Sequence, residues 1–126
     1  MGCAVLFITG ASLAQDQGAC DGNTYEMRMC LSKIYQKSDS ELNAVYRSVL
    51  KGFGDYSNPN RHVEDLRKAE RRWIAYRDAQ CKARYHLFEG ATGGPIEELR
   101  CLIEMTDKRT AELKQVYLSP GFPSTR

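Results

Sequence analysis

Two clusters of helix-breaking residues divide the stretch from Thr24 to Leu118, and they constrain its fold more than any other feature. The first is "GDYSNPN", Gly54 to Asn60, and the second is "GATGGP", Gly90 to Pro95. Glycine, proline and asparagine supply the backbone angles that tight turns need. Before the first cluster, Met27, Leu31, Ile34, Leu42, Val45 and Val49 recur at three- and four-residue steps, with Ser38 at the one interrupted core position. That spacing is the period of an amphipathic helix. Between the clusters a second stripe runs through Val63, Leu66, Ala69, Trp73, Tyr76, Gln80, Ala83 and Leu87. After them a third carries Leu99, Leu102, Thr106, Arg109, Leu113 and Val116, with Ile103 and Tyr117 beside it. No stretch alternates apolar and polar residues over a strand's length. The expected fold is therefore all-α, an elongated antiparallel bundle of three helices of about 22 to 28 residues, each ~35–40 Å long. Asn23 or Thr24 is placed to cap the first helix, Gly52 with Gly54 to end it, and Pro95 to open the third.

The N-terminus, "MGCAVLFITGASLAQDQ", holds an uncharged apolar run followed by small residues, with Ser12 and Ala14 at the positions a signal peptidase reads. Residues 1–14 are expected to be a signal peptide, 15–118 the helical domain and 119–126 a disordered tail. The run is too short and too interrupted for a membrane span. Export to the periplasm or the extracellular space follows from this reading. Cleavage after Ala14 removes Cys3 and leaves Cys20, Cys30, Cys81 and Cys101. An even cysteine count in an exported chain points to disulfides. Zinc would want a C-x2-C pair or histidines at ligand spacing, and His62 and His86 lie at neither, so no metal or cofactor is expected.

A turn centred near residue 92 brings Cys81 level with Cys101, each one position off its helix's apolar stripe. Cys20 is then left for Cys30. The first hairpin, turning near residue 57, also brings Cys30 level with Cys81, so the rival pairing stays open.

The chain has 126 residues, enough for one domain, and 18 Lys and Arg against 16 Asp and Glu. A net charge of +2 gives no electrostatic reason to expect nucleic acid or anionic lipid as a partner. Trp73 and Tyr76 fall on the second stripe and read as core, while Arg71, Arg72 and Arg77 read as its solvated flank. Arg109 interrupts the third stripe, which implies a buried or half-buried ion pair with Asp39 or Asp78. No catalytic triad, metal motif or phosphate-cradling glycine pattern is present, so an enzyme is not expected.

Taken in order, "CLSKIYQKSDSELNAVY", "LRKAERRWIAYRDAQC", a glycine pair, Cys101 and "TDKRTAELKQVY" resemble the lysozyme inhibitor LprI family. The match covers roughly Cys20 to Tyr117. It rests on Cys30, then Asp39, Leu42 and Asn43, then Leu66 and Arg67, then Trp73, Tyr76, Arg77, Asp78 and Cys81, then Cys101, Thr106 and Arg109. The resemblance implies a small exported helical protein with disulfides and a protein partner, lysozyme by the family's name. Gln17 stands where a lipobox would have an aliphatic residue, so a lipid anchor on Cys20 does not transfer. An inhibitor has to occlude a sugar-binding cleft that works through two carboxylates. The expected contacts are the turn residues Asn58 and Gly93 at the two bundle ends, and Glu97 and Glu98 as an acidic face toward a basic rim. The alternative is an envelope or secretion-associated interaction module that inhibits nothing.

Overall fold

The computed structural model describes residues 20–89 and 93–119. The expected signal peptide, the centre of the second turn and residues 120–126 of the expected tail lie outside the described residues. Three helices follow in order: α1, Thr24–Gly52; α2, Pro59–Leu87; and α3, Gly94–Leu113. A 3-10 turn, Phe53–Asp55, follows α1, and α3 runs on into a π-helical turn, Lys114–Leu118. Among the described residues there is no strand. The fold is the all-α, disulfide-stapled bundle, with α1 and α2 each one residue past the expected length and α3 shorter because its last turn widens.

Local chemistry accounts for the helix ends. Asn23 accepts a hydrogen bond from the Glu26 amide at 3.0 Å, and the Glu26 carboxylate accepts one from the Asn23 amide at 3.1 Å. This capping box satisfies two otherwise orphaned donors. Gly22, just before it, sits at φ 115°, where a side chain would be strained and would run into the Glu26 carboxylate. Asn58 precedes α2 without a side-chain cap, and Pro59 takes the first helical position, where its missing N–H costs nothing. Gly94 opens α3 hard against α2: a Cβ there would lie 3.1 Å from the Tyr85 ring and 3.2 Å from its carbonyl oxygen.

Both α1 and α2 pack along α3 and hardly touch each other. The interior has two apolar clusters. One, at the disulfide end, holds Cys20, Leu31, Ile96 and Ile103, with Met27, Ile34, Tyr35 and Leu99 against it. The other, at the hairpin end, holds Leu42, Val49, Phe53, Leu66 and Leu113, with Tyr56, Val63, Trp73 and Tyr117 against it. Cys20 is bonded to Cys30 (Cα–Cα 5.6 Å) and Cys81 to Cys101 (5.4 Å), within the ordinary span of a disulfide. Cys81 and Cys101 are fully buried although each lies one position off its helix's apolar stripe, and the Met105 thioether contacts both sulfurs at 3.8 and 3.9 Å.

The inward face of α2 corrects the sequence stripe. Its buried residues are Leu66, Glu70, Arg77 and Cys81, while Ala69, Gln80, Ala83 and Leu87 are exposed. Tyr76, expected in the core, is 60% exposed. Trp73 is half-buried against the hairpin-end cluster. The helix is rotated because charged residues with partners on other helices take inward positions that an apolar pattern assigns elsewhere.

Candidate partner-binding surface

Between the two apolar clusters runs a polar waist built from all three helices. Ser38 comes from α1, Glu70 and Arg77 from α2, and Thr106, Arg109 and Thr110 from α3. Arg77 places its Nη2 2.9 Å from Asp78 and its Nη1 3.7 Å from Asp39, and donates to the Thr106 hydroxyl at 3.4 Å. Arg109 donates from Nε and Nη2 to Glu70 at 3.1 and 2.9 Å, and from Nη1 to Glu112 at 2.7 Å. The indole of Trp73 lies between these two guanidiniums, 5.2 Å from that of Arg77 and 5.8 Å from that of Arg109, in cation–π range. The expected partners of Arg109 are thereby corrected. Asp39 and Asp78 serve Arg77, and the acid that meets Arg109 is Glu70, which apolar periodicity does not single out. The reason is register: the hairpin that levels Cys81 with Cys101 also brings Glu70 level with Arg109.

Electrostatics in the waist follow from burial. Desolvation lowers the Arg109 pKa, but hydrogen bonds and charge from Glu112 and Glu70 outweigh it and leave the pKa raised. Burial raises the Tyr35 phenol, with Arg77 pulling the other way. Burial also pushes the Asp107 carboxyl above its usual range. Ser38 is near enough to Asp107 to oppose that shift, yet its buried hydroxyl makes no hydrogen bond of good geometry among the described residues.

Because α1 and α2 stand apart, a groove of about 320 Å³ opens between them. Asp39, Leu42, Asn43 and Tyr46 line it from α1, and Arg67, Glu70, Arg71, Ile74 and Arg77 from α2. Asp39, Leu42, Asn43, Arg67 and Arg77 are among the residues that carried the family resemblance, so the fold gathers residues from two distant segments onto one surface. A second groove, of about 360 Å³, lies at the disulfide end between α1 and α3, where Tyr25, Met29, Leu99 and Leu102 give it apolar walls.

None of the four expected contact residues, Asn58, Gly93, Glu97 and Glu98, lines the α1–α2 groove. Asn58 is exposed at the hairpin end and Gly93 half-buried at the disulfide end. Glu97 and Glu98 are tied into the bundle: Glu97 pairs with Arg84 at 3.2 Å and Arg100 at 3.1 Å, and Glu98 with Lys82 at 2.9 Å. Glu104 likewise pairs with Arg84 and Lys108. The acidic face of α3 is thus largely neutralised by neighbouring cations. Among the described residues no cluster of three His, Cys, Asp or Glu side chains is placed to hold a metal. His62 makes a tilted ring contact with Phe53 and an edge-on one with Tyr56, and His86 faces Glu89 on the surface. What this surface offers chemically is hydrogen-bonding and charged recognition, on a scaffold held by two disulfides.

Comparison with known proteins adds the family. A family model described as "Lysozyme inhibitor LprI" matches residues 15–113. An uncharacterized protein of Rhizobium meliloti (strain 1021) is 37% identical over 105 residues, which cover 75% of this chain and 73% of the relative. No solved structure matches.

Proposed function

The chain belongs to the lysozyme inhibitor LprI family, and from that premise we propose that it is an exported envelope protein that binds a lysozyme or related muramidase and blocks its cleft. The observation that carries this reading is the extent of the family match, which takes in α1, α2 and all of α3. Its role is binding, not catalysis, and it needs no cofactor. A bundle held by two disulfides suits an envelope inhibitor, because a rigid surface loses little conformational freedom on docking. Among the described residues no helix is long and apolar enough to cross a membrane.

The test is a lysis assay with the oxidised protein. Cell-wall lysis by a purified lysozyme should slow in proportion to the concentration of this chain, while the chain alone leaves the glycan intact. No slowing at micromolar concentration, across lysozymes of several structural classes, would move the reading to the non-inhibitory interaction module.

A further inference from the structure

Although the net charge is only +2, the charges are segregated along the bundle. The hairpin half, residues 43–72 and 108–119, holds ten Lys and Arg against five Asp and Glu. The disulfide half, residues 20–42, 73–89 and 93–107, holds seven against ten. The cationic pole is most concentrated on the α2 stretch "RKAERR", where Arg67, Lys68, Arg71 and Arg72 are all exposed. Among the described residues Arg67, Lys68 and Arg72 have no carboxylate within salt-bridge distance, and Arg71 has only Glu64 at 4.0 Å. Two of the four, Arg67 and Arg71, line the α1–α2 groove. Each carboxylate in that groove already faces an arginine: Asp39 faces Arg77, which it shares with Asp78, and Glu70 faces Arg109, which it shares with Glu112. The least compensated charges of the groove are therefore the guanidiniums of Arg67, which meets no carboxylate among the described residues, and Arg71, which has only Glu64.

We propose that this groove is the face that grips the muramidase, with Arg67 and Arg71 pairing with the two carboxylates of the enzyme's cleft. The inference rests on the inhibitor reading above and names the chemistry of its contact. Residues four apart on a helix have Cβ atoms about 5–6 Å apart, and the two carboxyl groups of a retaining glycosidase stand roughly 5–5.5 Å apart. Arg67 and Arg71 stand four residues apart on α2, so their side chains start from a comparable separation and can reach two such carboxyl groups at once. Guanidinium forks bind carboxylates bidentately, and their long stems carry the charge beyond the helix surface. A guanidinium beside the enzyme's general acid also favours its ionised form, in which it has no proton to give the leaving group.

The experiment compares binding of a purified retaining lysozyme by the parent, Arg67→Gln/Arg71→Gln, Lys68→Gln/Arg72→Gln and Gly93→Trp. All four altered side chains of the double variants are exposed on one helix, and unchanged circular dichroism and melting would show the fold intact. The groove variant should lose at least tenfold in affinity, and its on-rate should lose most of its salt dependence. Lys68→Gln/Arg72→Gln should lose less than threefold, and Gly93→Trp, at the opposite end, should bind as the parent does. Equal losses in the two double variants would mean diffuse attraction and overturn the site. Parent-like binding by the groove variant, or loss of binding in Gly93→Trp alone, would overturn it too, with the inhibitor reading intact. A parent that does not bind would remove both.

Discussion

Arg109→Ala is expected to lose about 3–5 kcal/mol of folding stability, because it leaves the Glu70 carboxylate buried without its partner. The two side chains are only 12% and 8% exposed, so water does little to replace the missing guanidinium. Glu112, the other acid on Arg109, is more than half exposed and can be solvated when the arginine is removed. The pair as a whole need not be a large net stabiliser, since desolvating two ions offsets much of their attraction. Replacing both, as in Glu70→Leu/Arg109→Met, should therefore recover most of the loss. Urea unfolding at neutral pH, followed by circular dichroism, measures all three proteins against the parent. An Arg109→Ala variant within about 1 kcal/mol of the parent would contradict a buried pair, being no more than the upper range for an exposed one.

Trp73→Ala should cost about 3 kcal/mol, the lower end of the range for losing a large aromatic, because the indole is half-buried rather than enclosed. It would remove packing against the hairpin-end cluster and the ring between Arg77 and Arg109. Trp73→Phe keeps a π face for both guanidiniums and should lose less than half as much. Since Trp73 is the chain's one tryptophan, its fluorescence follows unfolding of the parent directly. Thermal melts of the variants by circular dichroism complete the comparison. If Trp73→Ala melts with the parent but fails to bind a lysozyme, the indole belongs to the interface and not to the waist.

The contrast between α1 and α2 shows what the sequence made legible. In α1 the inward positions are mostly apolar, so periodicity alone picks out Leu31, Leu42 and Val49, with Ser38 as the polar member of that stripe. In α2 two inward positions carry charge. Apolar spacing alone led outward to Tyr76, Gln80 and Leu87, away from Glu70 and Arg77. A buried charge becomes legible only when its partner is known, and these partners lie on other helices, 38 residues from Asp39 to Arg77 and 39 from Glu70 to Arg109. Hairpin register held the missing information. Used to level the cysteines, it would also have matched Glu70 with Arg109. Phe53 was hidden differently: it stands between two glycines in what reads as a loop, yet it is buried and makes ring contacts with Tyr56, His62 and Tyr117. The α1–α2 groove was illegible for a third reason. A gap between helices depends on their separation, which no one-dimensional pattern encodes.

Cleft occlusion is tested most directly by initial-rate kinetics of a retaining lysozyme on a soluble oligosaccharide substrate, with increasing amounts of the oxidised chain. A protein seated over the catalytic carboxylates excludes substrate, so the apparent KM should rise linearly with inhibitor concentration while kcat stays constant. A fall in kcat at unchanged KM would mean that the chain binds away from the cleft, and unchanged kinetics throughout would contradict the proposed function itself.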